Sequence, residues 1–364
     1  MQKVPGRASV GGRPARSPAQ TLLSVRDLKT YYHQDEGTVR AVDGVTFDVR
    51  VGRTLGVVGE SGCGKSVTAR SILRLIEKNG RIVDGAIIYR RGTADEAAAE
   101  LDLAALDAKG QEMRSIRGGE IALIFQEPMT SFSPVHTIGS QIVEAIRLHR
   151  DISERQAEAH AVDMLQRVGI PLPEQRMQEY RHQLSGGLRQ RAMIAMALCC
   201  DPRLLIADEP TTSVDVTTQA QVLDLLRSLQ SDSGMAIMFI THNLGVIAEM
   251  ADDVVVMYLG RVVEKASVDK LFHAPKHPYT SALLRSIPGI RSAPKERLPT
   301  ITGSVPHPYE RPEGCPFHPR CEHFMAGLCE VEVPELLPVG EDQEVSCFLF
   351  DQEAERRARV GATD

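Results

Sequence analysis

Short apolar runs alternate with longer amphipathic stretches along most of this chain. Residues 54–58, 121–125, 204–207, 236–240 and 254–258 have the length and aliphatic content of buried strands. Between the third and fourth runs, Val222, Leu225, Leu226 and Leu229 repeat at i, i+3, i+4 and i+7, the spacing of one helix face. Strands separated by helices predict an α/β fold with a mostly parallel sheet covered on both faces. Residues 140–183 show helical periodicity without strands, which predicts a helical subdomain inserted in that core, bounded at about 127–187. Residues 91–113 are rich in alanine and acids and read as a surface insertion. Beyond Ala266 the pattern changes. Prolines at 275, 278, 288, 294, 299, 306, 308, 312 and 316 interrupt regular structure and predict a loop-rich module over 267–350. The ends lack an apolar pattern, so 1–21 reads as a disordered basic tail and 351–364 as a charged tail that frays. The α/β core is left as 22–266.

Composition narrows the classes. A formal charge of −6 gives no bulk attraction to nucleic acid. No apolar run approaches the roughly 20 residues needed to span a bilayer, so a membrane role would run through partners. Without an apolar core, the N-terminal segment is not a signal peptide, and the cytosol is the expected compartment.

The chemistry centres on Gly59-Glu60-Ser61-Gly62-Cys63-Gly64-Lys65-Ser66, followed by Val67. This glycine-rich run follows a predicted strand and opens a predicted helix, the setting in which backbone N–H groups cradle phosphate. Lys65 is placed for the β- and γ-phosphates and the Ser66 hydroxyl for Mg²⁺. A nucleoside triphosphate is the expected ligand. The run 204–207 then delivers Asp208 and Glu209 to the C-terminal edge of the sheet, where open α/β folds bind ligands. Asp208 suits Mg²⁺ and Glu209 suits a general base for water. An acidic pair at a strand end is otherwise an ordinary surface feature, and the phosphate loop gives this one its meaning.

Tyr180 to Gln190 reads Tyr-Arg-His-Gln-Leu-Ser-Gly-Gly-Leu-Arg-Gln before an apolar helix. Ser185-Gly186-Gly187 could be only a helix cap. Here the chain resembles the ABC-transporter ATPase family, whose signature is Leu-Ser-Gly-Gly. The resemblance implies a RecA-like core with a β subdomain and an inserted helical subdomain. It also implies that Gln126 senses the γ-phosphate and Mg²⁺, that His242 bonds the γ-phosphate, and that Asp215 is the D-loop aspartate. Tyr32 is the expected adenine platform, with Tyr31 next. Two such chains would face head to tail, each ATP held between one phosphate loop and the opposite Ser185-Gly186-Gly187. Ser213-Val214 and Asn243 depart from the family pattern.

Within that family, residues 125–134, 207–217 and His277-Pro278-Tyr279-Thr280-Ser281-Ala282-Leu283-Leu284 resemble the ATP-binding subunits of oligopeptide, dipeptide and nickel importers. The implied partners are a homologous second ATPase, two transmembrane permeases and an extracytoplasmic solute-binding protein, with this subunit on the cytoplasmic face of the membrane. Nucleic acid is not an expected partner. Cys315, Cys321, Cys329 and Cys347 follow a C-x5-C-x7-C-x17-C spacing that alone leaves iron–sulfur, zinc and no metal open. The resemblance implies a [4Fe–4S] cluster on these four, as a structural centre for a proline-rich module. Soluble ABC ATPases acting on nucleic acid, or assembling iron–sulfur clusters, are the competing classes. A single phosphate loop, an acidic balance and the cysteine tail weigh against them.

Overall fold

Two long strands, β1 (Thr21–Gln34) and β2 (Gly37–Arg50), form an antiparallel hairpin ahead of the phosphate loop. The computed structural model of the chain describes residues 20–92, 99–126, 132–212, 215–286 and 301–351. Strand β3 (Thr54–Val58) leads through the loop into helix α1 (Lys65–Ile72). Strands β4 (Gly80–Arg91) and β5 (Ala99–Asp102) then extend the hairpin, and helix α2 (Gln111–Ile116) closes its end. Among the described residues this small sheet has the order β2-β1-β4-β5.

Strand β6 (Ile121–Ile124) returns to the main sheet before the helical subdomain. That subdomain packs α3 (Ile138–His149) and α4 (Glu154–Arg167) against α5 (Gly186–Leu198). Its helix starts are chemically marked. The Thr137 side chain caps α3, and Ser153 with Gln156 makes a reciprocal capping box on α4. The chain continues through β7 (Leu204–Asp208), α6 (Val216–Ser233), β8 (Ala236–Ile240), α7 (Leu244–Met250), β9 (Asp253–Tyr258) and β10 (Arg261–Ser267). Helix α8 (Pro278–Arg285) and the short strands β11 (Leu337–Pro338) and β12 (Gln343–Val345) complete it. The main sheet runs β11-β12-β10-β9-β3-β8-β7-β6 among the described residues, parallel from β9 to β6 and antiparallel beyond.

The central strands are apolar throughout because both faces are covered. Leu205, Ala207, Ile237 and Phe239 point into the core shared with the helices. Leu204, Ile206, Met238 and Ile240 point to the core under the hairpin sheet. On α6 the inward face comprises Val222, Leu223, Leu226 and Leu229, with Leu225 only half-buried.

Four expectations need correction. Residues 91–113 are not simply a surface insertion, because Ala99–Asp102 pairs with β4 and Leu103 and Met113 are fully buried. Leu103 and Met113 land on inward positions, whereas Ala99 and Ala105 stay exposed. Strand β6 stops at Ile124, and Phe125 is 43% exposed. Thr21, expected in the N-terminal tail, is already paired with Arg50. The C-terminal module is loop-rich but not separate: Gln343–Val345 pairs with β10, and Tyr279, Phe317, Leu328 and Phe348 join the helical-side core. Residues 1–19, 93–98, 127–131, 213–214, 287–300 and 352–364, which include Ser213 and Val214, lie outside the described residues.

Candidate active site

Burial of β3 on both sides fixes the start of the phosphate loop. Gly59 has φ 154°, and a Cβ there would stand 2.2 Å from the Met257 carbonyl oxygen. Gly64 has φ 99°, and its Cβ would meet the Ala41 carbonyl oxygen at 2.2 Å. Only glycine lets the chain pass both carbonyls and turn into α1. The Lys65 ammonium is nearly buried and donates to the Gly59 carbonyl at 2.8 Å and the Glu60 carbonyl at 3.1 Å. Cys63 is buried beside it, with Sγ 3.7 Å from Nζ. Burial raises this thiol's pKa against the opposing pull of the Lys65 charge.

The parallel order β3-β8-β7 brings the acids alongside. Ser66 Oγ donates to Asp208 Oδ1 at 3.0 Å, so the two oxygens expected at Mg²⁺ already touch. One hydroxyl and one carboxylate are the hard-oxygen set that Mg²⁺ takes when substrate phosphates complete its shell. Among the described residues, no group of three or more histidine, cysteine or acidic side chains is placed to hold a metal ion. A Mg²⁺ site built from one carboxylate needs no such group. Burial, with adjacent Glu209, raises the Asp208 carboxyl above its ordinary value despite the Ser66 bond.

Glu209 sits in the left-handed region at φ 48°, a strained conformation for a non-glycine residue and one that clusters at functional sites. It accepts from Gln126 Nε2 at 3.1 Å and from Thr212 Oγ1 at 2.8 Å on one oxygen. Its other oxygen meets His242 Nδ1 at 3.1 Å. Burial alone would raise this carboxyl, but the bonds from His242 and Thr212 outweigh it and leave the pKa below the ordinary glutamate value. Glu209 is therefore a carboxylate at neutral pH, the form a base needs. Gln126, the Asp208-Glu209 pair and His242, expected from three separate stretches of sequence, converge within hydrogen-bond reach of one another or of Ser66.

The remaining candidates lie elsewhere. Ser185 caps α5 by accepting from the Leu188 amide, and a Cβ on Gly187 would stand 3.5 Å from Thr218 Cγ2. Ser185 and Gly186 are exposed, and a Cβ on Gly186 would meet nothing within 4 Å. Among the described residues, no hydrogen bond ties these three to the phosphate loop. Asp215 caps α6 through the Thr218 amide and hydroxyl at 2.9 and 2.7 Å. Asn243 caps α7, accepting from Gly245 and Val246, so an amide keeps the capping bond an aspartate would make. Tyr32 lies against Gly80 and donates to Glu77 Oε2 at 2.5 Å, while Tyr31 donates to Asp43 at 2.6 Å under Arg40.

The cysteines of the C-terminal module are mutual neighbours. Cys347 is pushed up to about 12, first by burial, with charge contributions from Cys315, Cys321 and Cys329. Cys315 is pushed up to about 11, again mainly by burial. The His323 and Met325 amides donate to Cys321 Sγ and Cys329 Sγ at 3.4 and 3.5 Å. Among the described residues, no close ligand group in this module supports the expectation of a [4Fe–4S] centre.

Two residues escaped the sequence reading. Gln190, fully buried on α5, donates to the Pro210 carbonyl and so links the signature helix to the segment carrying Glu209. Arg320, between two of the cysteines, pairs with Glu60 of the phosphate loop. A buried polar residue on an apolar helix face was the available signal for Gln190. Arg320 had none beyond its place in the motif.

The fold and this constellation define an ATP-binding cassette with an added C-terminal module. The ABC transporter family model matches residues 42–212, and the model of the oligopeptide/dipeptide transporter C-terminal region matches 263–329. The chain is 49% identical over 92% of its length, and 96% of the relative's, to the probable peptide ABC transporter ATP-binding protein y4tR of Sinorhizobium fredii. It is 48% identical to the oligopeptide transport ATP-binding protein AppD of Bacillus subtilis, covering 92% of this chain and 98% of that one. To the dipeptide transport ATP-binding protein DppD of Escherichia coli it is 44% identical, covering 90% and 96%. The dimeric cassette MJ0796 with ADP and Pi superposes with a TM-score of 0.58 at 22% identity, covering 68% of this chain and 98% of that one, and shares the fold. This chain belongs to the ABC transporter ATP-binding proteins of the peptide-import family, and it is an ATPase.

Proposed function

We propose that this chain hydrolyses ATP to drive import of dipeptides or oligopeptides through a membrane complex. The observation that carries this reading is the convergence of Gln126, Glu209 and His242 beside the Ser66–Asp208 pair, on a chain that also holds the peptide-transporter C-terminal region. Glu209 accepts a proton from water, His242 and Gln126 orient the γ-phosphate and that water, and Lys65 with the loop amides holds the phosphates. Ser66 and Asp208 would hold Mg²⁺, which would neutralise charge on the phosphoryl group. The adenine platform is Tyr32.

The chain works in a head-to-tail pair with a homologous ATPase. Its exposed Ser185-Gly186-Gly187 tip faces the partner's nucleotide, so ATP favours the closed pair and hydrolysis releases it. Two permeases dock on the helical subdomain from the cytoplasmic side, and a binding protein delivers solute outside. Among the described residues no helix is long and apolar enough to cross a membrane, which fits a peripheral subunit. The relatives' names favour peptides over nickel chelates, oligosaccharides or opine-like solutes. Purification from detergent extracts is expected to retain two integral membrane proteins and to give ATP turnover stimulated by peptide-loaded binding protein. Salt-sensitive RNA or DNA in their place would overturn the import reading.

The four C-terminal thiols are chemically suited to an iron–sulfur cluster, which needs four thiolates. A single tetrahedral ion draws its sulfurs to about 3.8 Å of one another, from Zn–S bonds of about 2.3 Å. A four-iron cluster, with one thiolate on each iron, spreads them wider. Cys315, Cys321, Cys329 and Cys347 would hold a [4Fe–4S] centre that braces the loop-rich module. Chain purified without oxygen is expected to carry iron and visible absorbance. Cys321→Ser should lose both and become more open to protease in the tail; unchanged iron content would overturn the assignment.

A further inference from the structure

Glu60 is the second residue of the phosphate loop, and two of its three polar groups are held from the C-terminal module. Its amide donates to Tyr279 Oη at 2.9 Å. Its carboxylate takes a two-pronged pair from Arg320, with Nη1 to Oε2 at 2.7 Å and Nη2 to Oε1 at 3.1 Å. Only the carbonyl turns inward, accepting from Lys65 Nζ and the Cys63 amide. The Arg320 side chain is 4% exposed. Nε donates to the Thr302 carbonyl at 3.1 Å, Nη1 reaches Tyr258 Oη at 3.3 Å, and the guanidinium lies 5.8 Å over the Tyr258 ring. Tyr258, Tyr279 and Phe317 pack with ring centres 4.7 to 5.4 Å apart and form the wall against which both groups are set. Arg320 closes a 3₁₀ turn (His318–Arg320) and is followed directly by Cys321.

We propose that Arg320 is a positioning residue for the phosphate loop, through which the cysteine module sets the affinity of the site for ATP. The inference rests on the ATP-binding role of that loop. Two physical effects act in the same direction. A carboxylate beside a loop built for polyphosphate repels the ligand unless it is neutralised, and Arg320 neutralises it. A loop held in place also loses less conformational freedom when nucleotide binds. Asp208, Glu209 and His242 sit on other elements, so the chemical step itself is left in place.

The test is MgATP binding by calorimetry on the full chain and steady-state hydrolysis on the chain assembled with its partner subunits, with folding checked by circular dichroism. Arg320→Ala is expected to raise the Kd and KM for MgATP by about tenfold or more, with kcat changed less than about threefold, as loss of ground-state binding dictates. Arg320→Lys, which keeps the charge but not the fork, should recover part of the affinity. Adding Glu60→Gln to Arg320→Ala should recover affinity as well, because no uncompensated charge remains. A merely structural Arg320 would give reduced kcat at constant KM and no recovery by Glu60→Gln, and either result overturns the proposal. Lys65→Ala serves as the control. If wild-type chain binds ATP and Lys65→Ala abolishes it while Arg320→Ala stays within twofold, only this inference fails. If wild-type and Lys65→Ala chains bind equally poorly, the loop's nucleotide role fails with it.

Discussion

Glu209→Gln is expected to lower ATP turnover by about 10²–10⁴-fold, the usual cost of removing a positioned acid–base group. The affinity for MgATP should stay within about threefold, since uniform binding by the loop is left intact. The amide has the size of the carboxylate and its oxygen can still accept from Thr212 or His242, so the left-handed turn at 209 persists. What it lacks is a basic oxygen. Asp208 and Ser66 remain paired at the Mg²⁺ position, and the loop glycines are untouched. Single-turnover hydrolysis and equilibrium binding separate the two effects, and gel filtration with ATP should show a longer-lived closed pair. Turnover above about a tenth of wild type would show that another group takes the proton.

Gly186→Asp carries the second large effect, and it separates a packing role from an intermolecular one. A Cβ at Gly186 meets nothing within 4 Å, and the residue is exposed at the start of α5. Within the chain, an acid in the first turn of a helix is favourable by about 0.3–1 kcal/mol. Thermal stability and MgATP binding to the single chain should therefore hold or rise slightly. In the closed pair the same carboxylate would oppose the partner's γ-phosphate, and like charges juxtaposed across an interface cost several kcal/mol. ATP-dependent pairing and turnover should fall by at least about 10²-fold, on the tenfold-per-1.4 kcal/mol scale. Unchanged turnover in this variant would remove the head-to-tail arrangement from consideration.

Legibility in the sequence followed distance along the chain. The phosphate loop, the acids ending β7 and the Ser185 cap are local: a strand, a turn and a helix start determine each, so their residues reveal them. The five buried strands were readable because burial on both faces makes them apolar throughout. The hairpin strands β1 and β2 were harder, since they expose one face and carry many charged residues. Residues 91–113 misled for a related reason. Their short strand exists through its pairing with the neighbouring β4, and the buried Leu103 and Met113 are scattered among exposed residues.

The sequence by itself determined that this chain cradles a triphosphate, which acids wait at the sheet edge, and that a proline- and cysteine-rich region follows. The tertiary structure decided which groups meet. Gln126 and Glu209 are 83 residues apart, and Glu60 and Arg320 are 260 apart. Their meeting depends on the order β3-β8-β7-β6 and on the docking of the C-terminal module beside the phosphate loop. Strand order is settled by burial of the whole sheet between two cores, a property of the assembled chain that no short stretch of residues carries.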